Sequence, residues 1–368
     1  MKKNVKNVLI KLNIEGQGIV NFDSNDQSYI WNKYVKDNSE NGIIKSYCKG
    51  SNIQFAKKNW YKDENEKLNY KIKISSDCIR HNLYKDEIPF QSPNIGYFKD
   101  LLLNFIATPA LLTRGYLFTE KENRYKRSTC LNITDAEQVC NAESNIEVFS
   151  RSGEKITDEI LKDNTFFYKE TVGEIKYQAI GNIDLMNLQF LSTDQVFDRF
   201  GLNPDYFNIY KTILKRNLPT FNSELGFYCI NGSSNIMPEY GIKFSNEDVL
   251  YLIKYIFTKL LSFDITHLKS YAKFSSLEYK LVYDPIEDTF NNENGWISIK
   301  NRKDIEDINF IVEDFYVEKT YEDSINLRKK INEEVEKIKS EKRAEKKAKA
   351  ANNKKKKDES NIESENEE

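Results

Sequence analysis

Two segments of the chain alternate apolar and polar residues with the period of a β-strand. In Val8–Ile14 (VLIKLNI) apolar side chains alternate with Lys and Asn. Asn69–Ile74 (NYKIKI) repeats the pattern, with Tyr70, Ile72 and Ile74 on the inward face. A strand of this kind has one face on a core and the other face open. The chain is therefore expected to build a sheet that is covered on one side.

Helical patterns lie between the extended ones. Ser75 or Ser76 can cap a helix that starts directly after NYKIKI. Phe98–Ile106 has apolar residues at helical spacing, and Pro109 ends that run. The clearest helix begins at Ser245, an N-cap followed by two acidic residues and a long apolar stripe (SNEDVLYLIKYIFTKLL).

Several other segments are predicted to be extended. They are IVNF, which ends at Phe22, a strand or turn over Thr113–Phe118, and a hairpin over Phe166–Ile180 that turns near Gly173. YKLVYD, WISIK and NFIVEDFYVEK follow late in the chain. Strand, helix, hairpin, helix and strand in this order predict an α+β fold, with a ferredoxin-like or RRM-type sheet carrying helices on one face.

Charge divides the chain into two parts. The net charge of −2 conceals a tail in which residues 341–357 carry +7 and residues 358–368 carry −6. Such a block pattern is typical of a mobile arm. We therefore predict one domain over residues 1–320 and a charged, helical to disordered tail over residues 321–368.

Composition argues against several classes of protein. The sequence contains no run of about 18 apolar residues, so no membrane span is predicted. No signal-peptide pattern is visible, and the cytoplasm is the expected location. The five cysteines form no CxxC pair and the two histidines are far apart, so neither a zinc site nor another metal or cofactor is expected. Walker, GxGxxG, HExxH and GxSxG motifs are not found.

One of the two histidines, His81, follows Arg80 near the predicted strand-to-helix junction. Three interpretations remain open from the residue types. His81 could be a general base in RNA cleavage, with Arg80 stabilising the phosphorane. Arg80 and the helix N-terminus could instead bind phosphate. The third is ordinary packing, which is also the expected role of His267.

Cations alternate with aromatic residues in TRGYLFTEKENRYKRSTC, a combination that suits a phosphate backbone and unstacked bases. The cations are Arg114, Arg124, Lys126 and Arg127. In the predicted hairpin, Phe166 and Phe167 could wedge between bases or anchor the core, and Lys169 could reach a phosphate. Gly173 is explained by turn geometry.

Taken together, these segments resemble a known family. CIRHNLY, LLTRGYLF, YKRSTC and FFYKETVGEIKYQAIGNIDLMNLQFLSTDQVFDR follow one another as they do in the Cas-seven-type backbone subunit of type I CRISPR Cascade complexes, which belongs to the RAMP superfamily. The closest likeness is to the minimal type I-F variant. GQGIVNF and the Ser245 helix also fit, so that the resemblance covers roughly Ile10 to Asp284. Leu202–Pro238 departs from the family pattern.

The resemblance implies a modified RRM palm with a thumb hairpin and no catalytic activity. Copies of such a subunit polymerise into a helical filament along a guide crRNA and present its bases to a target DNA strand. The implied partners also include the foot and repeat-cleaving subunits and a recruited helicase–nuclease. The alternative is an RNA-processing endoribonuclease of the same superfamily with His81 as general base.

The resemblance also assigns RNA contact to individual positions. Within the motifs, Arg80 would clamp guide phosphate and His81 would support it or stack there. The complete set of expected RNA-binding residues is Arg80, His81, Arg114, Lys126, Arg127, Phe166, Phe167, Lys169, Gly173 and Arg199.

Overall fold

The computed structural model describes residues 4–22, 56–66, 68–88, 99–120, 123–140, 144–151, 165–233, 237–330, 333, 334, 337, 340 and 341. The strands in these residues are β1 (Asn7–Gln17), β2 (Lys58–Lys62), β3 (Leu68–Ile74), β4 (Tyr116–Glu120), β5 (Asn123–Arg127), β6 (Leu131–Ile133), β7 (Ala136–Gln138), β8 (Ser144–Arg151), β9 (Thr165–Val172), β10 (Glu174–Ile183), β11 (Phe190–Ser192), β12 (Leu225–Ile230), β13 (Glu239–Lys243), β14 (Asp264–His267), β15 (Ser270–Val282), β16 (Ile297–Ile299) and β17 (Tyr316–Lys319). The helices are α1 (Ser76–Tyr84), α2 (Lys99–Ile106), α3 (Pro109–Arg114), α4 (Leu185–Gln189), α5 (Phe207–Asn217), α6 (Asn246–Leu261) and α7 (Arg302–Glu306), with a 3-10 turn at Pro204–Tyr206.

The largest sheet is antiparallel and has β1 near its centre. Its strand order is β14-β15-β1-β10-β7-β3-β2, with β16 beside β15 and β6 beside β10. Leu12 of β1 lies opposite Ala179 of β10 and Leu277 of β15. The protein is therefore a mixed α/β fold built on antiparallel sheets, as the order of the sequence patterns predicts at this coarse level.

The alternating segments form the predicted strands. Ile10, Leu12 and Ile14 are buried on one face of β1, and Lys11 and Asn13 between them are only half-buried. In β3 the same rule holds for Ile72 and Ile74, but the inward placement of Tyr70 is wrong. Tyr70 lies opposite Trp60 of the neighbouring strand β2. Its ring packs on that of Trp60, with the ring centroids 5.2 Å apart, and remains 37% exposed.

Helix α6 covers the buried face of the sheet and starts where the sequence predicts. The Ser245 side chain accepts from the Asp248 amide, and the Asp248 carboxylate accepts from the Ser245 amide at 3.0 Å, which completes a capping box. The apolar stripe from Val249 to Leu260 is buried in the core. Helix α6 contacts β15, α1 and α3, so it links the sheet to the helices that carry the site.

The predicted hairpin over Phe166–Ile180 is wrong. β9 and β10 follow each other across Gly173, but β9 pairs with β8, whereas β10 pairs with β1, β6 and β7. The turn explanation for Gly173 also fails, because its φ is not positive and a Cβ there would meet no atom within 4 Å. Both arms have strand character, but they pair with other strands and not with each other.

One further segment differs from the prediction, and another contains elements for which there is no prediction. IVNF is not a strand: Phe22 makes only an isolated bridge to Ala56. The segment Leu202–Pro238, which departs from the family pattern, contains α5 and β12. β12 belongs to a second antiparallel sheet with the order β11-β13-β12-β17.

The helical start of the tail is part of the folded protein. Residues 321–330 are helical, and Ser324 is fully buried. Most of the charged segment after residue 330 lies outside the described residues. In the part of the chain that is described, no helix has the length and apolar character needed to cross a membrane.

Candidate nucleic-acid interface

An open cleft of about 820 Å³ brings together residues from three separate elements. It lies between α1, the end of α3 and the β4–β5 hairpin. Five residues for which the sequence predicts RNA contact line this cleft: Arg80, His81, Arg114, Lys126 and Arg127. The structure brings these residues to one cleft from separate segments of the chain.

The N-terminus of α1 is already occupied by protein groups. The Ser75 hydroxyl accepts from the Cys78 amide, and the Ser76 amide donates to the Asp135 carboxylate at 2.8 Å. Burial opposes the ionisation of Asp135, but hydrogen bonds from Lys73 and Ser76 lower its pKa, so it remains charged. This geometry does not favour the interpretation that the helix N-terminus holds phosphate, because a carboxylate already accepts from its first amide.

Arg80 and His81 lie further along α1, on the side that faces the cleft. The Arg80 guanidinium pairs with Asp77, one turn earlier, at 2.5 Å. His81 is exposed in the helix's last turn. Among the described residues that line this cleft, the one acidic side chain is that of Asp77, the partner of Arg80. Among the described residues no group of three His, Cys, Asp or Glu side chains could hold a metal ion.

Arg114 ends α3 and reaches the cleft because the chain turns sharply after it. Gly115 has φ +81° and ψ 170°, and a Cβ there would lie 2.5 Å from the Arg127 carbonyl oxygen. Only glycine fits this position. Burial lowers the pKa of Arg114, and the nearby charge of Arg80 lowers it further. The two guanidinium groups thus add their positive potential on one wall.

Arg127 supports the cleft from inside. Its side chain is 5% exposed. It donates from Nε to the Leu112 carbonyl at 2.9 Å, from Nη1 to Phe190 at 2.7 Å and from Nη2 to Asn187 at 2.9 Å. A guanidinium used in this way ties β5 to α3 and α4. The geometry therefore does not favour the predicted RNA contact of Arg127, whose donors are turned to backbone carbonyls.

Lys126 points the other way, as alternation along β5 requires. Its side chain is 39% exposed and pairs with Asp198 at 2.5 Å. Leu117 lies directly opposite Lys126 on β4 and also lines the cleft. On the far side, Lys126 borders a smaller cavity of about 380 Å³ together with Arg124 and Phe197. Lys126 therefore lines both cavities.

The remaining predicted site residues lie elsewhere. Arg199 donates to Glu239 at 2.9 Å and to the Tyr316 hydroxyl at 3.3 Å, outside the cleft. These contacts hold the Arg199 guanidinium against other protein groups, and its RNA contact stays a prediction. Phe166, Phe167 and Lys169 belong to β9, where their backbones face Ser150, Phe149 and Glu147 of β8, and their side chains are not described.

Sequence reasoning missed Asp198 and Leu117. Asp198 lies 72 residues after Lys126, and no motif spacing connects them. Leu117 could have been found, because strand alternation places it on the face of β4 opposite to Tyr116.

The chain, which carries this cationic cleft on a mixed α/β fold with antiparallel sheets, is similar to known proteins. Residues 4–316 match the family described as Type I-Fv CRISPR-associated protein Cas7fv-like. The chain belongs to this family, which confirms the resemblance seen in its motifs.

Two solved structures are similar to the chain. One is described as "CRISPR RNA-guided surveillance complex", with 8% identity, a TM-score of 0.34 and coverage of 74% of this chain and 68% of that one. The other is described as "CRISPR RNA-guided surveillance complex, pre-nicking", with 7% identity, a TM-score of 0.36 and coverage of 74% and 75%. No curated protein matches the sequence.

Proposed function

We propose that the protein is a non-catalytic backbone subunit of a type I CRISPR complex that grips the guide crRNA by its phosphates. The observation that carries the proposal is the single cleft that collects Arg80, Arg114 and Lys126 from α1, α3 and β5. Side-chain cations can bind the phosphates of a strand of any sequence. They therefore suit a ligand whose sequence is read by pairing with another strand. Membership of the CRISPR-associated family supports this choice of ligand.

The strand order supports an RRM-like palm. Strands β15, β1, β10 and β6–β7 lie side by side in that order, all antiparallel. Helix α1 lies in the connection between β1 and β6, and α6 in the connection between β10 and β15. This is the β-α-β-β-α-β arrangement of a ferredoxin-like domain. β2 and β3 then form an insertion ahead of α1. The palm would span residues 1–320, followed by the tail.

The two-stranded β8–β9 ribbon is the candidate thumb. It pairs only with itself among the described strands and leads directly into the central strand β10. In this proposal Phe166, Phe167 and Lys169 act from the ribbon, away from the cleft. Copies of the subunit would follow one another along the crRNA in a filament and present its bases to target DNA. The foot and repeat-cleaving subunits and a helicase–nuclease would complete the system.

RNA binding by matched variants tests the proposal. We expect Arg80→Ala, Arg114→Ala and Lys126→Ala to weaken binding of single-stranded RNA of any sequence. Each lost phosphate contact should reduce the slope of log K against log salt by about 0.7. Arg216→Ala, an exposed cation on α5 outside the cleft, is the control. Unchanged affinity and slope in all three cleft variants would contradict the proposal.

The endoribonuclease alternative makes a different prediction. A cleaving enzyme would process repeat RNA without metal and would lose this activity in His81→Ala. We expect no product from the parent protein and unchanged RNA affinity within about two-fold in His81→Gln, which keeps hydrogen bonding without a titrating ring. Metal-free cleavage that disappears in His81→Gln would favour the enzyme instead.

A further inference from the structure

Two cations of the cleft carry exposed carboxylate partners. Arg80 pairs with Asp77 and Lys126 with Asp198, each at 2.5 Å. The carboxylates are not buried with their partners, because the Asp77 and Asp198 side chains are 86% and 88% exposed. The protein's own carboxylates thus partly neutralise the positive charge of the cleft.

The position of Asp198 is fixed by the two residues that follow it. The next residue, Arg199, is held by Glu239, and the Phe200 carbonyl accepts from the Lys126 amide at 2.7 Å. The Phe200 ring also stacks on the buried ring of Tyr125 at 5.2 Å. The loop therefore docks against β5, and its carboxylate faces Lys126 because the backbone places it there.

We propose that Asp77 and Asp198 act as counter-ions that an incoming phosphate backbone must displace from Arg80 and Lys126. This inference rests on the proposed RNA-binding function and deepens it. The hydrogen bond from Lys126 lowers the pKa of Asp198, so the carboxylate stays ionised and competes with phosphate at neutral pH.

Displacement lowers the affinity of every phosphate that binds at these two cations. A single phosphate that replaces one carboxylate exchanges one exposed ion pair for another and gains little. A continuous strand that bridges both cations gains from the high effective concentration of its second phosphate, but it must displace both carboxylates. The pairs would therefore weaken the binding of short oligonucleotides and of guide-length RNA alike.

The test compares Asp198→Asn with Asp205→Asn in the full chain. Asp205 lies on the 3-10 turn outside both cavities and controls for the change in net charge. The probes are labelled uridine oligonucleotides of about 6 and about 30 nucleotides. We expect Asp198→Asn to raise affinity for both probes about two- to five-fold, the range of an exposed ion pair. Asp205→Asn should change neither.

A double variant separates screening at Lys126 from a general charge effect. In the Lys126→Ala background, Asp198→Asn should lose its effect, because its partner is absent. Asp77→Asn should raise short-probe affinity in the same way, with its folding checked by thermal unfolding because Asp77 lies in the first turn of α1.

The outcomes distinguish this inference from the function on which it rests. A loss of binding in Lys126→Ala without a gain in Asp198→Asn overturns the counter-ion role and leaves RNA binding standing. A gain equal to that of Asp205→Asn, or one that persists without Lys126, overturns it as well. RNA binding that is absent in every variant, including the parent, overturns both proposals.

Discussion

Arg127 and Lys126 are neighbours on one strand, yet the structure predicts opposite consequences of replacing them. The Arg127 guanidinium satisfies three backbone carbonyls at 2.7 to 2.9 Å and is 5% exposed. In Arg127→Ala these carbonyls lose their donors, at a cost of about 1–3 kcal/mol for each buried group. The losses are not additive, since water can enter the space that the side chain leaves. We expect the free energy of unfolding to fall by about 3–5 kcal/mol.

The assay is urea unfolding followed by tryptophan fluorescence, with Lys126→Ala as the matched control. Lys126 takes part in one exposed ion pair, so its removal should cost no more than about 1 kcal/mol of stability. Its effect should appear in RNA affinity. Arg127→Lys should be intermediate in stability, because an ammonium group cannot reach three separate carbonyls. A stable Arg127→Ala protein with weakened RNA binding would refute the structural role and restore the phosphate contact.

Three other predictions concern the frame of the site. Gly115→Ala should lower the free energy of unfolding by about 3 kcal/mol or more, since φ is +81° and the new Cβ meets the Arg127 carbonyl at 2.5 Å; thermal unfolding measures this. Asp248→Ala removes the capping box of α6 and should cost about 1–3 kcal/mol in the same assay, whereas Asp248→Asn should cost less. Burial raises the pKa of the Cys130 thiol to about 11, so the unfolded chain ionises first on the alkaline side. Stability should therefore fall between about pH 9 and pH 11, by up to about 3 kcal/mol from this group, and Cys130→Ala should flatten that part of the pH profile.

Local patterns predicted much of the fold because they report which face of an element is buried. The alternation in Val8–Ile14 and the Ser245 cap depend on neighbours within a few residues, and both are found in the structure. Strand partners are a different matter. Nothing in the letters of Phe166–Ile180 shows that β9 pairs backwards with β8 while β10 pairs with β1, because adjacent strands with a glycine between them look like a hairpin in sequence.

The residues of the candidate site could likewise be predicted only in part from local patterns. The family motifs named Arg80, Arg114 and Lys126, which line one cleft. They did not separate Lys126 from Arg127, although one faces solvent and the other holds the interior together. Strand alternation alone says that the two point to opposite faces, but not which face is the open one. Only the packing of β5 against α3 and α4 decides it.

The tail makes contacts that its charge pattern alone does not predict. The predicted division at residue 320 treats everything after it as an appendage, yet Arg328 forms an ion pair with Asp194 and donates from Nε to the Pro238 carbonyl at 3.2 Å. Its guanidinium also lies 5.3 Å from the centre of the Phe227 ring, on the second sheet. Ser324 is completely buried. The start of the charged segment thus contacts the folded residues before it, and the boundary at residue 320 stays a prediction.

Two truncations separate the docked helix from the charged segment beyond it. A chain that ends after Lys330 keeps the Arg328 contacts and should unfold within about 0.5 kcal/mol of the full protein. A chain that ends after Thr320 leaves Asp194, which is 6% exposed, without its cation, and should lose about 1–3 kcal/mol. The loss is limited because Asp194 still accepts from the Val196 amide at 3.1 Å. Arg328→Ala in the full chain should reproduce most of it. Equal stability of the two truncated chains would place the domain boundary at residue 320 after all, and would mean that the helix docks without holding the second sheet.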